Sequence, residues 1–330
     1  MASPNPPLTR GYLIALASAA ILSTTAIFIR YLTQNYHLPA LVLAFWRDVL
    51  VVVTLLPVLG FLRPRLLRVQ RCHILYLMGY GLVLALFNAT WTLSVALNGA
   101  AIATVLVYCS AAFTAGLGWW LLKERMNWTK LAAIAICLGG CVLVSDALDV
   151  MAWRANFAGI LTGICSGLGY ALYGLMGRSA SQRGLNPWTT LGYTFGFAAG
   201  FLLLFNLLPG HPLPGTAVQP LDLFWLGSDW VGWGVLFILA AGPTIAGFGL
   251  YNVSLSHLSA SVVNLIVTLE PVFTALIAYL LLGERLGGVQ IVGSAMILAG
   301  VILMRVYEGW LAAANYQDAA RIERLYDKSA

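Results

Sequence analysis

The chain has 330 residues, of which 60% are hydrophobic and 9% charged, with 18 basic and 12 acidic side chains giving a net charge of +6. Soluble domains carry about 25% charged residues, so this composition excludes an ordinary soluble fold and points to a membrane protein. The positive charge follows from the topology derived below and gives no reason to expect a nucleic-acid partner.

Crossing a hydrocarbon core takes ~20 mostly apolar residues. Ten such segments lie near 11–31, 40–62, 72–95, 99–122, 127–145, 157–178, 187–207, 232–255, 259–282 and 286–305. Backbone groups facing lipid must bond within their own segment, so an all-α polytopic membrane protein with ten transmembrane helices is expected. The first segment is too long for a signal-peptide core and lacks a small-residue cleavage pattern, so it should remain as a helix. Residues 1–10 read as a cytoplasmic N-terminus and 306–330 as a cytoplasmic tail. Trp310, Ile322 and Leu325 suit that tail either to an interfacial helix or to disorder.

With the N-terminus inside, fourteen of the 18 basic residues fall on the cytoplasmic side. They are Arg10, Arg63, Arg65, Arg68, Arg71, Lys123, Arg125, Lys130, Arg178, Arg183, Arg305, Arg321, Arg324 and Lys328. Arg154 and Arg285 fall outside, while Arg30 and Arg47 lie near or within the membrane. This bias places both termini in the cytoplasm.

The chain also repeats itself. Phe87–Ser145 reappears without a gap as Gly247–Arg305, pairing Ala100 with Ala260, Phe113 with Phe273, Glu124 with Glu284 and Gly140 with Gly300. An earlier piece repeats at a shorter offset, pairing Gly11, Ser18, Arg30 and Pro39 with Gly159, Ser166, Arg178 and Pro187. Two five-helix repeats, 11–145 and 157–305, therefore flank an outer linker at 146–156. Five is odd, so the second repeat should be inverted. Loop 62–71 holds four arginines, whereas its counterpart 208–231 holds none but carries Asp222 and Asp229. About a dozen extra residues fall in that second loop, where length costs little.

Small-residue faces at Gly159, Gly163 and Gly167 and at Gly192, Gly196 and Gly200 suit close helix approach, with or without sliding. Cys72, Cys109, Cys137, Cys141 and Cys165 lie in or beside apolar segments without metal-ligand spacing, so packing is the expected role and no metal is expected. Gly163-Ile-Cys165-Ser-Gly167 imitates a nucleophile elbow, but no strand precedes it and no His is near. Asn88-Ala-Thr90 and Asn252-Val-Ser254 match glycosylation acceptors inside helices and are read as chance. No HExxH and no phosphate-cradling loop occur, so neither an enzyme nor a bound cofactor is expected.

Ionisable residues within the membrane point to function by default. Arg47 and Asp48 are neighbours, so on a helix they should point about 100° apart and not face each other. Glu270 precedes Pro271, which removes an amide donor. It reads either as a structural strut or as a proton- or substrate-coupling group. Tyr80, Asn88 and Trp91 share a helical stripe, and Tyr251 matches Trp91 in the repeat register. Thr104 pairs with Asn264 and Tyr108 with Thr268, while Ser166 and Tyr170 sit in the sixth segment. Aromatic groups with polar tips near mid-membrane suit the wall of a central cavity for an apolar or amphipathic small molecule, although packing alone is the plain alternative.

The ten segments, Arg47 in the second, and Glu270-Pro-Val-Phe273-Thr-Ala-Leu-Ile-Ala-Tyr-Leu-Leu-Leu-Gly283-Glu284 together resemble the EamA-type drug/metabolite transporter superfamily over roughly residues 10–306. Within it the chain is similar to the bacterial aromatic amino acid exporters of the YddG-like branch. The first half departs from the pattern, with Ser110-Ala111 where the second has Glu270-Pro271. The resemblance implies alternating access and export of amino acids or related metabolites, with small-molecule substrate and membrane lipid as the partners. A drug or nucleotide-sugar carrier is the alternative within the superfamily, and a lipid enzyme or a channel outside it. Oligomeric state is not legible in the sequence, with a monomer as the default reading.

Overall fold

The computed structural model describes residues 6–110, 112–114, 116–117, 128–144, 156–208, 213–255, 266–267, 269–303, 306–307 and 310. In chain order these form α1 (Pro6–Asn35), α2 (Ala40–Leu62), α3 (Arg71–Asn98), α4 (Ala100–Val107), α5 (Trp128–Val144), α6 (Phe157–Gln182), α7 (Pro187–Asn206), α8 (230–255), α9 (Glu270–Leu282) and α10 (Gly288–Leu303). No strand occurs among the described residues. Six helices, α1, α2, α3, α6, α7 and α8, are long and apolar enough to cross a membrane. Those at 100–114, 131–143, 270–282 and 288–303 are apolar but shorter.

Local chemistry explains where the helices begin and end. Pro187 opens α7, and Asn186 caps it by accepting from the Trp188 amide at 2.9 Å. Asp229 caps α8 through the Gly232 amide at 2.8 Å. Such side-chain acceptors occupy amides that lack an intrahelical partner. Gly99, at φ +86°, makes the break between α3 and α4, and Gly283, at φ +67°, ends α9. Both backbone positions favour a residue without Cβ. Pro243 cannot donate a backbone hydrogen bond, and α8 widens there into a π-helical segment over Ala240–Gly247. The Thr244 hydroxyl donates to the Leu239 carbonyl at 3.0 Å across that segment.

The course of the helices is fixed by bonds between distant residues. Near its start α3 receives α6 late in that helix, where the Tyr76 hydroxyl donates to the Met176 carbonyl. Near its end α3 meets the beginning of α6, where Asn98 donates to the Gly159 carbonyl at 2.7 Å. Hence α6 runs antiparallel to α3. At the ends of α1 and α3, Arg30 donates to the Ala96 carbonyl, so these two run parallel. Consequently α1 and α6, which the sequence register pairs, run in opposite directions. The same opposition holds along α1 and α8, where the Ser18 hydroxyl donates to the Gly247 carbonyl at 2.8 Å and the Tyr36 ring lies beside Gly232.

Small residues mark the closest approaches. A Cβ on Gly81 of α3 would collide with the Phe197 side chain and lie 3.1 Å from the Thr194 carbonyl of α7. A Cβ on Gly163 of α6 would meet Leu106 of α4 at 2.7 Å. Gly200, by contrast, has nothing within 4 Å, so only part of the α7 glycine face is packed. Cys109, Cys137 and Cys141 are buried, in keeping with packing, while Cys72 and Cys165 are exposed.

Within the 208–231 loop, residues 213–229 form a cap tied to the bundle. Asn206, 1% exposed, donates to the Leu41 carbonyl at 3.1 Å and accepts from the Ala217 amide at 3.1 Å. Trp46 donates through its indole to the Leu223 carbonyl at 2.6 Å, and its ring packs against Phe224 and Trp233. Ala217 and Leu226 are buried in the same apolar cluster as α1 and α2 residues. The added residues therefore bury apolar surface of their own, which the hydrophobic effect favours.

Replacing Gly81 by Ala should cost about 1–3 kcal/mol through overpacking of α3 on α7. Replacing Gly200 by Ala, in open space within α7, should instead stabilise by about 0.5–1 kcal/mol through helix propensity. Thermal midpoints of the two variants in detergent check this difference; equal midpoints would remove the close α3–α7 contact from the account.

Candidate functional site

Two polar groupings lie within the helical bundle. The first joins α2 and α3. Asp48 is 0% and Arg47 3% exposed. The Asn88 amide donates to both carboxylate oxygens of Asp48, at 3.0 and 2.7 Å. Arg47 sets its Nε 3.4 Å from Asp48 Oδ1. The sequence expectation that these neighbours do not face each other is therefore incorrect. The long Arg47 side chain folds back along the helix, a freedom that the angular separation of their Cβ atoms does not remove. Even so, 3.4 Å is long for a charge-assisted hydrogen bond, which favours about 2.7–2.9 Å. Among the described residues, the terminal Nη1 and Nη2 of Arg47 make no hydrogen bond.

An aromatic surface continues from this grouping along α3 and α6. Tyr80 and Tyr173 approach at 4.9 Å between ring centroids, Phe87 and Tyr170 at 5.4 Å, and Phe87 and Tyr173 stack at 6.4 Å. Tyr173 also lies within electrostatic reach of Asp48. Ring pairs at these distances add to burial through their quadrupoles. Tyr80 is buried, while Tyr170 is 37% exposed.

The second grouping joins α4 and α9. The Tyr108 hydroxyl lies 2.8 Å from the Val267 carbonyl and 3.1 Å from Glu270 Oε2. Glu270 is the first residue of α9, with Pro271 in its first turn. At that place the carboxyl sits where helix amides carry partial positive charge. Val267 packs with Ala15 and Tyr251. Trp91, 6% exposed, belongs to the apolar cluster against which Tyr108 and Phe87 pack.

Other residues singled out by sequence are placed differently. The Ser166 hydroxyl donates to the Gly163 carbonyl at 2.7 Å, and the Thr104 hydroxyl to the Ala100 carbonyl at 2.8 Å, each within its own helix. Those donors are occupied by backbone, a common resolution for hydroxyls inside helices. Asn264 and Thr268 lie outside the described residues. Tyr173 was legible in the sequence beside Tyr170 in the sixth segment, whereas sequence reasoning missed Thr92. Thr92 is fully buried, with a hydroxyl that has no hydrogen-bond partner among the described residues. Its signal was the four-residue spacing from Asn88, which puts both on one helix face.

Among the described residues, an all-helical bundle with six membrane-length apolar helices defines a polytopic membrane protein. A family model describing the EamA-like transporter family matches residues 9–146 and again 157–306. The chain belongs to the EamA-like transporter family and is a membrane transporter. A protein of Salmonella typhimurium described as a probable amino-acid metabolite efflux pump is 26% identical over 278 residues, covering 81% of this chain and 86% of that one. The Escherichia coli protein of the same description is 26% identical over 280 residues, with the same coverage of 81% and 86%. An Archaeoglobus fulgidus transporter of uncharacterized function is 28% identical over 224 residues, covering 67% of this chain and 74% of that one. A solved crystal structure with 16% identity and a TM-score of 0.58, covering 91% of this chain and 98% of that one, shares the fold.

Replacing Asn88 by Ala removes the donor to both oxygens of a fully buried carboxylate, and should cost roughly 3 kcal/mol. Replacing Asp48 by Asn leaves the Arg47 charge buried without its partner, for about 3–5 kcal/mol. Thermal unfolding in detergent should show both losses, with Asp48→Asn the larger. An Asn88→Ala midpoint equal to that of the parent would rule out the structural role given to this amide.

Proposed function

We propose that the protein exports aromatic and other apolar amino acids across a bacterial inner membrane by alternating access. In this reading ten helices form two inverted five-helix repeats with both termini cytoplasmic. The end bearing residues 36–40 and 213–229 faces outward, and the arginine-rich 62–71 loop faces inward. The opposed course of α1 and α6 supports inversion, and the distribution of Lys and Arg supports the orientation. The description of two relatives as amino-acid metabolite efflux pumps supports the substrate class.

The observation that carries the substrate reading is Arg47. A guanidinium keeps its charge under all ordinary conditions, and burying a charge is costly unless it is answered by an anion. Asp48 answers it at long range and is itself held by Asn88, leaving the planar Nη1/Nη2 edge of Arg47 without a protein partner among the described residues. That edge matches a carboxylate bidentately. The aromatic surface from Tyr80 through Tyr173, Phe87 and Trp91 suits the apolar side chain of the same solute. Tyr108, Asn264, Thr268 and Tyr251 would line the opposite wall. Thr104, Ser166 and Tyr170 would contribute shape, the first two having hydroxyls occupied by backbone. Glu270, beside Tyr108, would serve as the coupling carboxyl or as a strut between α4 and α9.

Efflux from proteoliposomes should be measurable for phenylalanine, methionine and threonine. Phenethylamine, which lacks the carboxylate, should be moved at least about a hundredfold more slowly, since a site built to bond a polar group rejects the analogue without it. Arg47→Lys, which keeps the charge but loses the planar edge, should narrow that gap. Absence of flux for all three amino acids, or equal flux of phenethylamine, would defeat the reading. In the same assay, Glu270→Gln separates the two roles of that carboxyl. Transport that becomes independent of pH marks coupling, and loss of folded protein marks a strut.

A further inference from the structure

Glu284 follows Gly283 directly as the chain leaves α9, and its side chain is 17% exposed. Oε1 accepts from the Ala100 amide at 3.0 Å and Oε2 from the Ala101 amide at 3.1 Å. These are first-turn amides of α4, which no helix can satisfy from within. Arg30, near the end of α1, holds its Nε 3.3 Å from Oε1 and donates through Nη1 to the Ala96 carbonyl in the last turn of α3. With its amide oxygen turned toward Arg30, Gln34 accepts from Nε at 3.0 Å and from Nη2 at 2.9 Å. Gly99 stands beneath the carboxylate, where a Cβ would lie 2.8 Å from Oε1. One carboxylate from the second half of the chain thus ties together α1, α3 and α4 of the first half.

We propose that Arg30, Glu284 and the first turn of α4 form a latch between the two halves, and that this latch must release before the transport pathway opens outward. The word outward rests on the orientation given under the proposed function. The contact is suited to reversible closure. It joins a full charge to two backbone amides at the positive end of a helix dipole, and all its bonds can be replaced by water. It also governs the site, because the helix it holds leads directly to Tyr108, whose hydroxyl meets Glu270 in the opposite half. In sequence, the repeat register assigns Arg178, Ala260 and Glu124 as the counterparts of Arg30, Ala100 and Glu284. The same three residue types therefore recur with the halves exchanged, Arg178 and Ala260 in the second and Glu124 in the first, as expected if the two faces close in turn.

The test uses the full chain in spheroplasts, with Thr104→Cys as a reporter in α4 and a membrane-impermeant maleimide added outside. The same protein without Thr104→Cys gives the background from the native cysteines. Glu284→Gln and Arg30→Gln should each raise outside labelling of the reporter at least about fivefold, the low end of ordinary coupling between sites. Arg30→Gln leaves both amide bonds to Glu284 in place, so it remains informative if Glu284→Gln does not fold. Glu124→Gln should not raise outside labelling. The exchange Arg30→Glu with Glu284→Arg restores a charge pair but turns a cation toward the Ala100 and Ala101 amides, and labelling should stay fast. Parental labelling rates in folded Glu284→Gln and Arg30→Gln would overturn the proposal. Slow labelling in the exchanged pair would overturn the part assigned to the α4 amides. Because labelling needs no solute, missing amino-acid flux would defeat the transport reading and leave the latch standing.

Discussion

A charge inside an apolar bundle must be answered by groups that the protein supplies, since lipid offers none. The arrangement around Asp48 follows from that constraint. Its pairing with Arg47 is loose, at 3.4 Å, and would not by itself offset the burial of two ions. Asn88 completes the shell by bonding both oxygens, and it reaches them only because α2 and α3 hold one particular register. A shift of α3 by one residue would present Phe87 or Ala89 to the carboxylate instead. The ionic pair therefore fixes two helices at the depth where the aromatic surface begins. Glu284 answers the same constraint at a helix end, with backbone amides in the place of an amide side chain.

Proline interrupts a helix in each half, at Pro57 within α2 and at Pro243 within α8, where the ladder widens into a π-helical segment. Pro271 lies in the first turn of α9, where its missing amide costs no helical bond. The helix paired with α8 in the repeat, α3, is regular throughout Arg71–Asn98. A regular helix carries Asn88 and Trp91, which hold a fixed polar and aromatic surface. Segments with broken ladders are easier to bend, so motion should concentrate around Pro57 of α2 and Pro243 of α8, with α3 as the fixed element between.

Much of this was legible in the sequence because length and composition constrain a membrane helix so tightly. The starts of α2, α6 and α7 fall within a residue of expectation, since an apolar run cannot end far from where its polar flanks begin. The aromatic stripe was legible for the same geometric reason, as a helix face repeats every three or four residues. Side-chain reach was not legible. Arg47 bends back onto Asp48 because a flexible side chain can cancel the angle that separates adjacent positions. Ser166 and Thr104 had the composition of lining residues, yet their hydroxyls found a carbonyl one turn back within their own helices. The packed cap at 213–229 was hidden because its apolar residues are interspersed with Pro, Gly and Asp, a composition that reads as loop. The interruption of α8 at Pro243 was not read from the sequence, and the choice of a π-helical widening over a kink depends on the neighbours around it.

Electrostatic balance narrows the solute further than shape does. With Arg47 and Asp48 both ionised, the first grouping is neutral, and no further basic residue lies in the described part of the site. A phosphorylated solute would bring two or more negative charges into this environment with one loosely engaged cation to meet them. A cationic drug would bring a positive charge, while the buried Asp48 carboxylate already holds Asn88 and Arg47. A zwitterion alters the net charge of the cavity by nothing. It can place its carboxylate on the free edge of Arg47, and an aromatic or aliphatic side chain on Phe87 and Tyr173. Moving such a solute between the two faces carries no net charge through low dielectric, where each uncompensated charge is costly. The charge pair and the aromatic surface thus support the proposed apolar amino acids over phosphorylated or cationic solutes by the same physical criterion that shaped the protein interior.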